Sequence, residues 1–137
     1  MEHCVVGIIE KEDAGVKRYL LVASKKDFGK FTGFYYPPGG HLKPGEDEFS
    51  GLVREIQEEL GIEVTSAKKI ATTSSDVKDQ VTHWYSCRVS SYEIKMDGSE
   101  LLDASYFSRE DMQGLRIWPA TARFFEEFVF RFQSLHP

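Results

Sequence analysis

Three glutamates lie close together on one predicted helix and could bind a metal ion. Glu55 is three residues before Glu58 and four before Glu59, so these side chains are neighbours on a helix surface. Like charges at this spacing repel each other by about 0.2–0.5 kcal/mol in an isolated helix. A divalent cation reverses that repulsion, and Mg²⁺ prefers oxygen ligands and phosphates. The pattern therefore indicates either a Mg²⁺ or Mn²⁺ site that handles phosphates or a solvated acidic face.

Residues 47–60 are predicted to form the helix that carries these glutamates. Apolar residues recur at i, i+3, i+4, i+7 and i+11, which is one face of a helix: Phe49, Leu52, Val53, Ile56 and Leu60. Gly61 follows as a left-handed cap, and Asp47 and Glu48 suit the positive end of the helix. Residues 40–45 are rich in Gly and Pro and are predicted to be a turn.

The whole stretch of residues 40–62 resembles the signature of the Nudix hydrolase family. That signature is Gly-x5-Glu-x7-Arg-Glu-U-x-Glu-Glu-x-Gly-U, where U is a bulky aliphatic residue. The nine matching residues are Gly40, Glu46, Arg54, Glu55, Ile56, Glu58, Glu59, Gly61 and Ile62. The resemblance implies an α/β fold, an α/β/α sandwich with a central mixed β-sheet. It also implies a metal-dependent pyrophosphohydrolase that uses Mg²⁺ (or Mn²⁺).

The resemblance implies roles for the three glutamates. Glu59, together with the carbonyl of Gly39, is expected to hold the inner metal ion. Glu55 is expected to be the general base or a ligand of a second metal ion, and Glu58 is expected to bridge two ions. These roles stay interchangeable at this point, because coupled carboxylates exchange functions with metal count.

An arginine and a further carboxylate are expected around this cluster. Arg54 is expected to belong to the catalytic set and to hold Glu46 in a structural pair, since its fork can bind a carboxylate twice. Family members often take another metal ligand from outside the signature, and residues 100–107 resemble a strand of many relatives, which favours Glu100. The remaining candidates for that ligand are Glu93, Asp97 and Asp103.

The sequence says less about the identity of the substrate than about the type of reaction. Residues 34–45 resemble the MutT-like branch, which acts on nucleoside triphosphates, and residues 117–121 lie where such relatives contact a base. The candidate substrate-binding residues are Tyr36, Gly40, Trp118 and Thr121. Trp118 could stack on a base or belong to the core. The alternatives are an NADH, nucleotide-sugar or dinucleotide pyrophosphatase, a nucleotide-binding module without turnover, and an unrelated protein with an acidic helix.

Composition bounds the class of protein. The chain has 137 residues, 41% of them hydrophobic and 28% charged, which predicts one globular domain over residues 1–137. The net charge of −5 argues against binding to nucleic acid or a membrane surface. No apolar run reaches membrane-spanning length, and the N-terminus is too polar for a secretory signal. We therefore expect a cytoplasmic monomer or homodimer with a small-molecule nucleotide as its partner.

Cys4 and Cys87 are expected to be reduced thiols in or near strands.

The remaining segments alternate between strands and helices. Strands are predicted for residues 3–11, 18–24, 63–75, 81–94 and 100–108, with the first two paired as a hairpin. Residues 109–114 are predicted to form a short helical turn with Ser108 as its N-cap. Residues 121–135 are predicted to form a second long helix with an apolar stripe of Phe124, Phe125, Phe128, Val129, Phe132 and Leu135.

Overall fold

The computed structural model describes residues 1–131. Its strands are β1 Glu2–Ile8, β2 Glu10–Asp13, β3 Val16–Ser24, β4 Tyr35–Tyr36, β5 Gly39–His41, β6 Val64–Ser74, β7 Gln80–Val89 and β8 Leu101–Ser108. Its α-helices are α1 Glu48–Leu60, α2 Arg109–Met112 and α3 Pro119–Phe124. A 3₁₀ turn, Gly29–Phe31, precedes β4, and a π-helix, Phe125–Phe130, continues α3.

The strands form two sheets that share the core. The first has the order β5-β1-β7-β6 and is mixed, because β1 runs parallel to β7 while the β1–β5 and β6–β7 pairs are antiparallel. In the second sheet, β3 pairs antiparallel with β2, β4 and β8. The predicted α/β fold with a mixed central sheet is confirmed.

Helices cover both faces of this β layer. Alternate residues of a strand point to opposite faces, so Val5 of β1 lies in the core beneath α1 while Val6 lies in the core beneath α3. On the first face, α1 buries Leu52, Ile56 and Leu60 completely. On the second face, the rings of Trp84 and Phe124 stack with their centroids 4.0 Å apart.

The helix of the glutamates begins one residue later than predicted, at Glu48, and ends as predicted at Leu60 before the cap residue Gly61. Asp47 is the N-cap and accepts a hydrogen bond from the backbone N–H of Ser50 at 3.2 Å. Gly61 ends the helix in the left-handed conformation with φ at 63°. Phe49 is the exception to the predicted apolar face, since it is 40% exposed at the first turn.

The prediction of one strand over residues 3–11, paired with residues 18–24, is wrong. The chain leaves the first sheet at Ile9, which is fully buried, and enters the second sheet at β2. The hairpin partner of β3 is therefore β2, and β1 pairs with β5 and β7 instead. The apolar run ends at Ile9, and β2 is polar and largely exposed, so the predicted strand joined two segments of different character.

Two further boundaries differ from the predictions. The strand predicted over residues 81–94 ends at Val89, and the chain then turns so that Lys95 donates a backbone hydrogen bond to Leu60 at the end of α1. The C-terminal helix begins at Pro119, earlier than predicted, and its π-helical part buries Phe130 beside Phe125. An i→i+5 turn shifts the buried positions away from a 3.6-residue period. Phe132 and Leu135 lie outside the described residues.

Two smaller expectations also have outcomes. In the part of the chain that the structure describes, Cys4 is a buried free thiol and Cys87 a half-buried one, as predicted. Within residues 1–131, no helix combines the length and the apolar character needed to span a bilayer.

Candidate functional site

The buried face of α1 fixes where its glutamates point. Because Leu52, Ile56 and Leu60 face the core, Glu55 and Glu59 are turned toward the β5 strand and Glu58 toward solvent. Glu59 is only 5% exposed, whereas the side chain of Glu58 is 56% exposed. The three glutamates therefore share one helix but have very different environments.

The Oε1 atom of Glu59 is buried and has no hydrogen-bond partner among the described residues. The backbone N–H of Gly39 donates a hydrogen bond to its carboxyl group, but among residues 1–131 nothing donates to its Oε1. Burial, together with the neighbouring charges of Glu55 and Glu100, raises the pKa of Glu59 to about 8. A buried carboxylate oxygen with no partner is costly unless a cation binds to it.

Two glycines allow the strand and the helix to approach each other this closely. At Gly40, a Cβ atom would lie 2.6 Å from the carboxyl carbon of Glu55. At Gly39, where φ is 154°, a Cβ atom would lie 1.9 Å from the backbone oxygen of Val5. A side chain at either position would overlap its neighbour, so the site requires glycine at both.

The guanidinium group of Arg54 donates hydrogen bonds to three carboxylates of the site. Its Nε and one terminal nitrogen donate to the two oxygens of Glu46 at 2.7 and 2.9 Å, which is the predicted pair. Its other terminal nitrogen donates to Glu55 at 3.0 Å and to Glu58 at 3.3 Å. The hydrogen bonds from Arg54 lower the pKa of Glu46 to about 2. The pKa of Glu55 is raised, mainly by burial.

The residues fit a divalent metal ion, although they are not yet arranged around one. Within residues 1–131, no three His, Cys, Asp or Glu side chains are grouped as a ready-made metal site. Arg54 forms ion pairs with both Glu55 and Glu58. The free Oε1 of Glu59 and the all-oxygen donor set suit a hard cation such as Mg²⁺ or Mn²⁺.

Four carboxylates outside the signature were candidates for a further metal ligand, and the structure describes all of them. Only Glu100 lines the cleft beside Glu55 and Glu59. Asp97 has a different role, since its Oδ1 accepts from the backbone N–H of Ser99 at 2.9 Å and so closes the turn before Glu100. The backbone N–H of Asp97 also donates to the carbonyl of Glu59 at 2.8 Å, which ties that turn to α1. Asp103 accepts a hydrogen bond from Tyr35 at 2.5 Å, and Glu93 is exposed.

A cleft of about 690 Å³ opens from these carboxylates. All four candidate substrate-binding residues line it: Tyr36, Gly40, Trp118 and Thr121. Trp118 packs against the rings of Phe28 and Phe31 at centroid distances of 5.2 and 4.7 Å and also lines the cleft.

Sequence reasoning missed several residues that line the cleft. They are the cations Lys25 and Lys26, the aromatic Phe28, and the polar residues Asp76 and Gln80. The lysines lie in a glycine-punctuated loop after β3, and the polar pair lies in or beside the turn between β6 and β7. Only the register of β1 on β7 brings that turn to the cleft, and no local pattern in the sequence signals that register.

Comparison with known proteins gives the same answer as the geometry. The chain is 26% identical over 129 residues to a CTP pyrophosphohydrolase of Escherichia coli, with 94% of this chain and 92% of that protein covered. A MutT NUDIX hydrolase structure from Burkholderia pseudomallei superposes with a TM-score of 0.77 at 22% identity, covering 93% of this chain and 98% of that one. The NUDIX domain of Shewanella oneidensis NrtR, solved in complex with ADP ribose, gives a TM-score of 0.80 at 16% identity, covering 95% and 87%. The NUDIX domain profile matches residues 1–128, and the chain therefore belongs to the Nudix hydrolases, enzymes that act on phosphoric anhydride bonds.

Proposed function

We propose that the protein is a MutT-like nucleoside triphosphate pyrophosphohydrolase that depends on Mg²⁺ or Mn²⁺. The observation that carries this proposal is the single cleft that joins the carboxylates Glu55, Glu59 and Glu100 to the aromatic wall of Phe28 and Trp118. A triphosphate can lie on the carboxylate side, through the cation, while its base lies against the aromatic wall. The similarity to a CTP pyrophosphohydrolase over nearly the whole chain supports the same substrate class.

In this proposal, the residues of the site have different roles. Glu59 and Glu58, with the carbonyl of Gly39 and with Glu100, hold the cation. The cation neutralises charge on the phosphates and activates water when it is bound. Arg54 keeps Glu55 in place through its hydrogen bond at 3.0 Å.

Glu55 is the proposed general base. The oxygen of a water molecule bonds to phosphorus as the anhydride P–O bond breaks, and the proton of the water passes to a carboxylate oxygen of Glu55. The pKa of Glu55 is raised by burial, which brings it closer to neutral pH and makes it a better proton acceptor than an exposed glutamate. Lys25 and Lys26 line the same cleft and can attract the polyphosphate electrostatically.

A substrate panel tests this function directly. Nucleoside triphosphates, nucleotide sugars, dinucleotides and NADH are incubated with the protein in Mg²⁺ and in Mn²⁺, and released phosphate, pyrophosphate and monophosphate are measured. We expect turnover of triphosphates and loss of turnover in Glu59→Gln. Preferential cleavage of NADH, nucleotide sugars or dinucleotides would overturn the substrate class. Tight nucleotide binding without turnover of any compound would overturn the catalytic proposal.

A further inference from the structure

A carboxylate outside the signature lines the end of the cleft that is formed by the β6–β7 turn. Asp76 lies in this turn, next to Ser75 and Val77, which also line the cleft. Its side chain is only 12% exposed. It is too far along the chain from the α1 cluster to be part of the signature, and the proposed hydrolysis gives it no role.

Asp76 is held in place by the start of α3. Its Oδ2 accepts a hydrogen bond from the backbone N–H of Ala120 at 2.8 Å, and its Oδ1 lies 3.6 Å from a terminal nitrogen of Arg123. A carboxylate can accept about four hydrogen bonds, so this anchoring leaves acceptor capacity free. The side chain of Arg123 is 64% exposed, so it contacts Asp76 from the solvent side.

The strand register places Asp76 away from the metal-binding end. Ser75 bonds to Gln80, and Gln80 lies opposite Glu2 of β1. Gly39, beside Glu59, lies opposite Val6 of the same strand. Four residues of strand separate the two levels, which is about 13 Å. A nucleoside and its phosphates can bridge such a span, with the phosphates at Gly39 and the base at Asp76.

The surroundings of Asp76 suit the flat ring of a base. Val77, Trp118 and Phe28 line the cleft together with it, and aromatic faces stack on bases of every kind. Stacking therefore gives affinity but little choice between bases. A carboxylate beside such walls offers only hydrogen-bond acceptors, so it favours a base that presents N–H donors.

We propose that Asp76 selects nucleotides whose base carries an exocyclic amino group, by accepting a hydrogen bond from that group. This inference rests on the proposed function, because it assumes that a nucleotide occupies the cleft. Cytosine and guanine present an amino group where uracil and hypoxanthine, respectively, have a carbonyl oxygen or a hydrogen. A carbonyl oxygen facing Asp76 is repelled, and a hydrogen leaves the carboxylate without its partner.

The test compares two matched substrate pairs, CTP with UTP and GTP with ITP, by kcat/KM in the wild-type protein and in Asp76→Asn. GTP and ITP differ only at the amino position, so their shared contacts cancel, whereas CTP and UTP also differ at N3, which carries a hydrogen only in uracil. We expect the wild type to prefer the amino member of at least one pair by roughly 10- to 100-fold, the range for one good polar contact. Asp76→Asn keeps an acceptor for Ala120 but adds an N–H₂ donor, so the preference is expected to fall at least tenfold, with UTP or ITP hydrolysed as well as before or better.

Asp79→Asn is the matched control. Asp79 lies in the same turn and has a positive φ of 58°, which asparagine tolerates, but it is not among the described residues that line the cleft. We expect this variant to keep the wild-type preference. Melting temperatures of both variants close to that of the wild type show that the fold is retained.

The outcomes separate the two proposals. A wild-type ratio near one in both pairs, or a ratio that Asp76→Asn leaves unchanged, overturns base selection and leaves Asp76 as an anchor of α3. If the wild type hydrolyses none of the four triphosphates, the proposed function fails. Base selection is then decided by the binding of CMP against UMP and of GMP against IMP, measured by calorimetry, where equal dissociation constants overturn it.

Discussion

Arg54 binds Glu46 through two parallel hydrogen bonds, from Nε at 2.7 Å and from a terminal nitrogen at 2.9 Å. This bidentate pair links the turn before α1 to the second turn of the helix. It also orients the remaining terminal nitrogen of Arg54 toward Glu55. One side chain therefore connects the loop, the helix and the proposed general base.

Arg54→Lys should lower kcat by about 10- to 100-fold, the cost of misplacing a reacting group by about 1 Å. Lysine keeps the positive charge but cannot donate in the two parallel directions that Glu46 accepts. Steady-state kinetics on the best substrate of the panel measures the effect. The matched control is Arg18→Lys, since Arg18 donates to Asp111 on the surface, away from the cleft. Equal losses in both variants would contradict the role of Arg54.

The Arg54–Glu46 pair should also give stability that depends on pH. The pKa of Glu46 is lowered from its ordinary value of 4.5 to about 2, chiefly by the hydrogen bonds from Arg54. A lowered pKa in the folded protein means that the ionised group adds stability above pH 4.5, and that this stability is lost as the pH falls toward 2. The melting temperature of Glu46→Gln should therefore lie below that of the wild type at pH 7, with the gap closing below pH 4.5. A gap that stays constant from pH 7 to pH 3 would contradict this.

Much of the fold could be predicted because its local signals agree with its tertiary contacts. Asp47, Gly61 and the buried face of Leu52, Ile56 and Leu60 all define the same helix. The prediction failed where a buried strand continues almost directly into an exposed one. The break at Ile9 is the example, since this single residue separates β1 from β2 and it is not a Gly or Pro that would mark a turn.

The candidate site likewise contains residues that could be predicted from the sequence and residues that could not. The glutamates, Arg54 and Gly39 could be predicted because they lie within one signature of 23 consecutive residues or next to it. Asp76 could not be predicted, because it reaches the cleft through the parallel pairing of β1 with β7. Such a pairing joins residues more than 70 positions apart, here Glu2 and Gln80, the residue that begins β7 after the turn of Asp76. Local periodicity carries no information about it.

Gly39→Ala and Gly40→Ala should separate stability from activity. The Cβ added at Gly39 meets the backbone of Val5, which cannot move without breaking the sheet, so we expect the free energy of unfolding to fall by about 3 kcal/mol. The Cβ added at Gly40 meets only the end of the Glu55 side chain, which can rotate away. Gly40→Ala should therefore keep its stability but lose at least tenfold in kcat. Urea unfolding and steady-state kinetics measure the two effects.

Gly98→Ala is the control for both glycine variants. No described atom lies within 4 Å of a Cβ built at Gly98, and this residue does not line the cleft in the described structure. It should leave both stability and kcat unchanged. If Gly40→Ala were as unstable as Gly39→Ala, the contact with Glu55 would not be the reason that residue 40 is glycine.

Glu59→Gln should abolish stabilisation by Mg²⁺ without lowering the stability of the metal-free protein. The carboxylate of Glu59 is buried, one of its oxygens has no donor among residues 1–131, and its pKa is raised to about 8, so its ionisation opposes folding near neutral pH. Glutamine removes that charge and so should leave the melting temperature in EDTA unchanged or higher. In the wild type, Mg²⁺ at 100 times its dissociation constant should add about 2.7 kcal/mol, and this increment should disappear in the variant. Glu63→Gln, an exposed glutamate just after α1, should keep the full increment. A Mg²⁺ increment that survives in Glu59→Gln would place the cation elsewhere and contradict the assignment of Glu59 as its ligand.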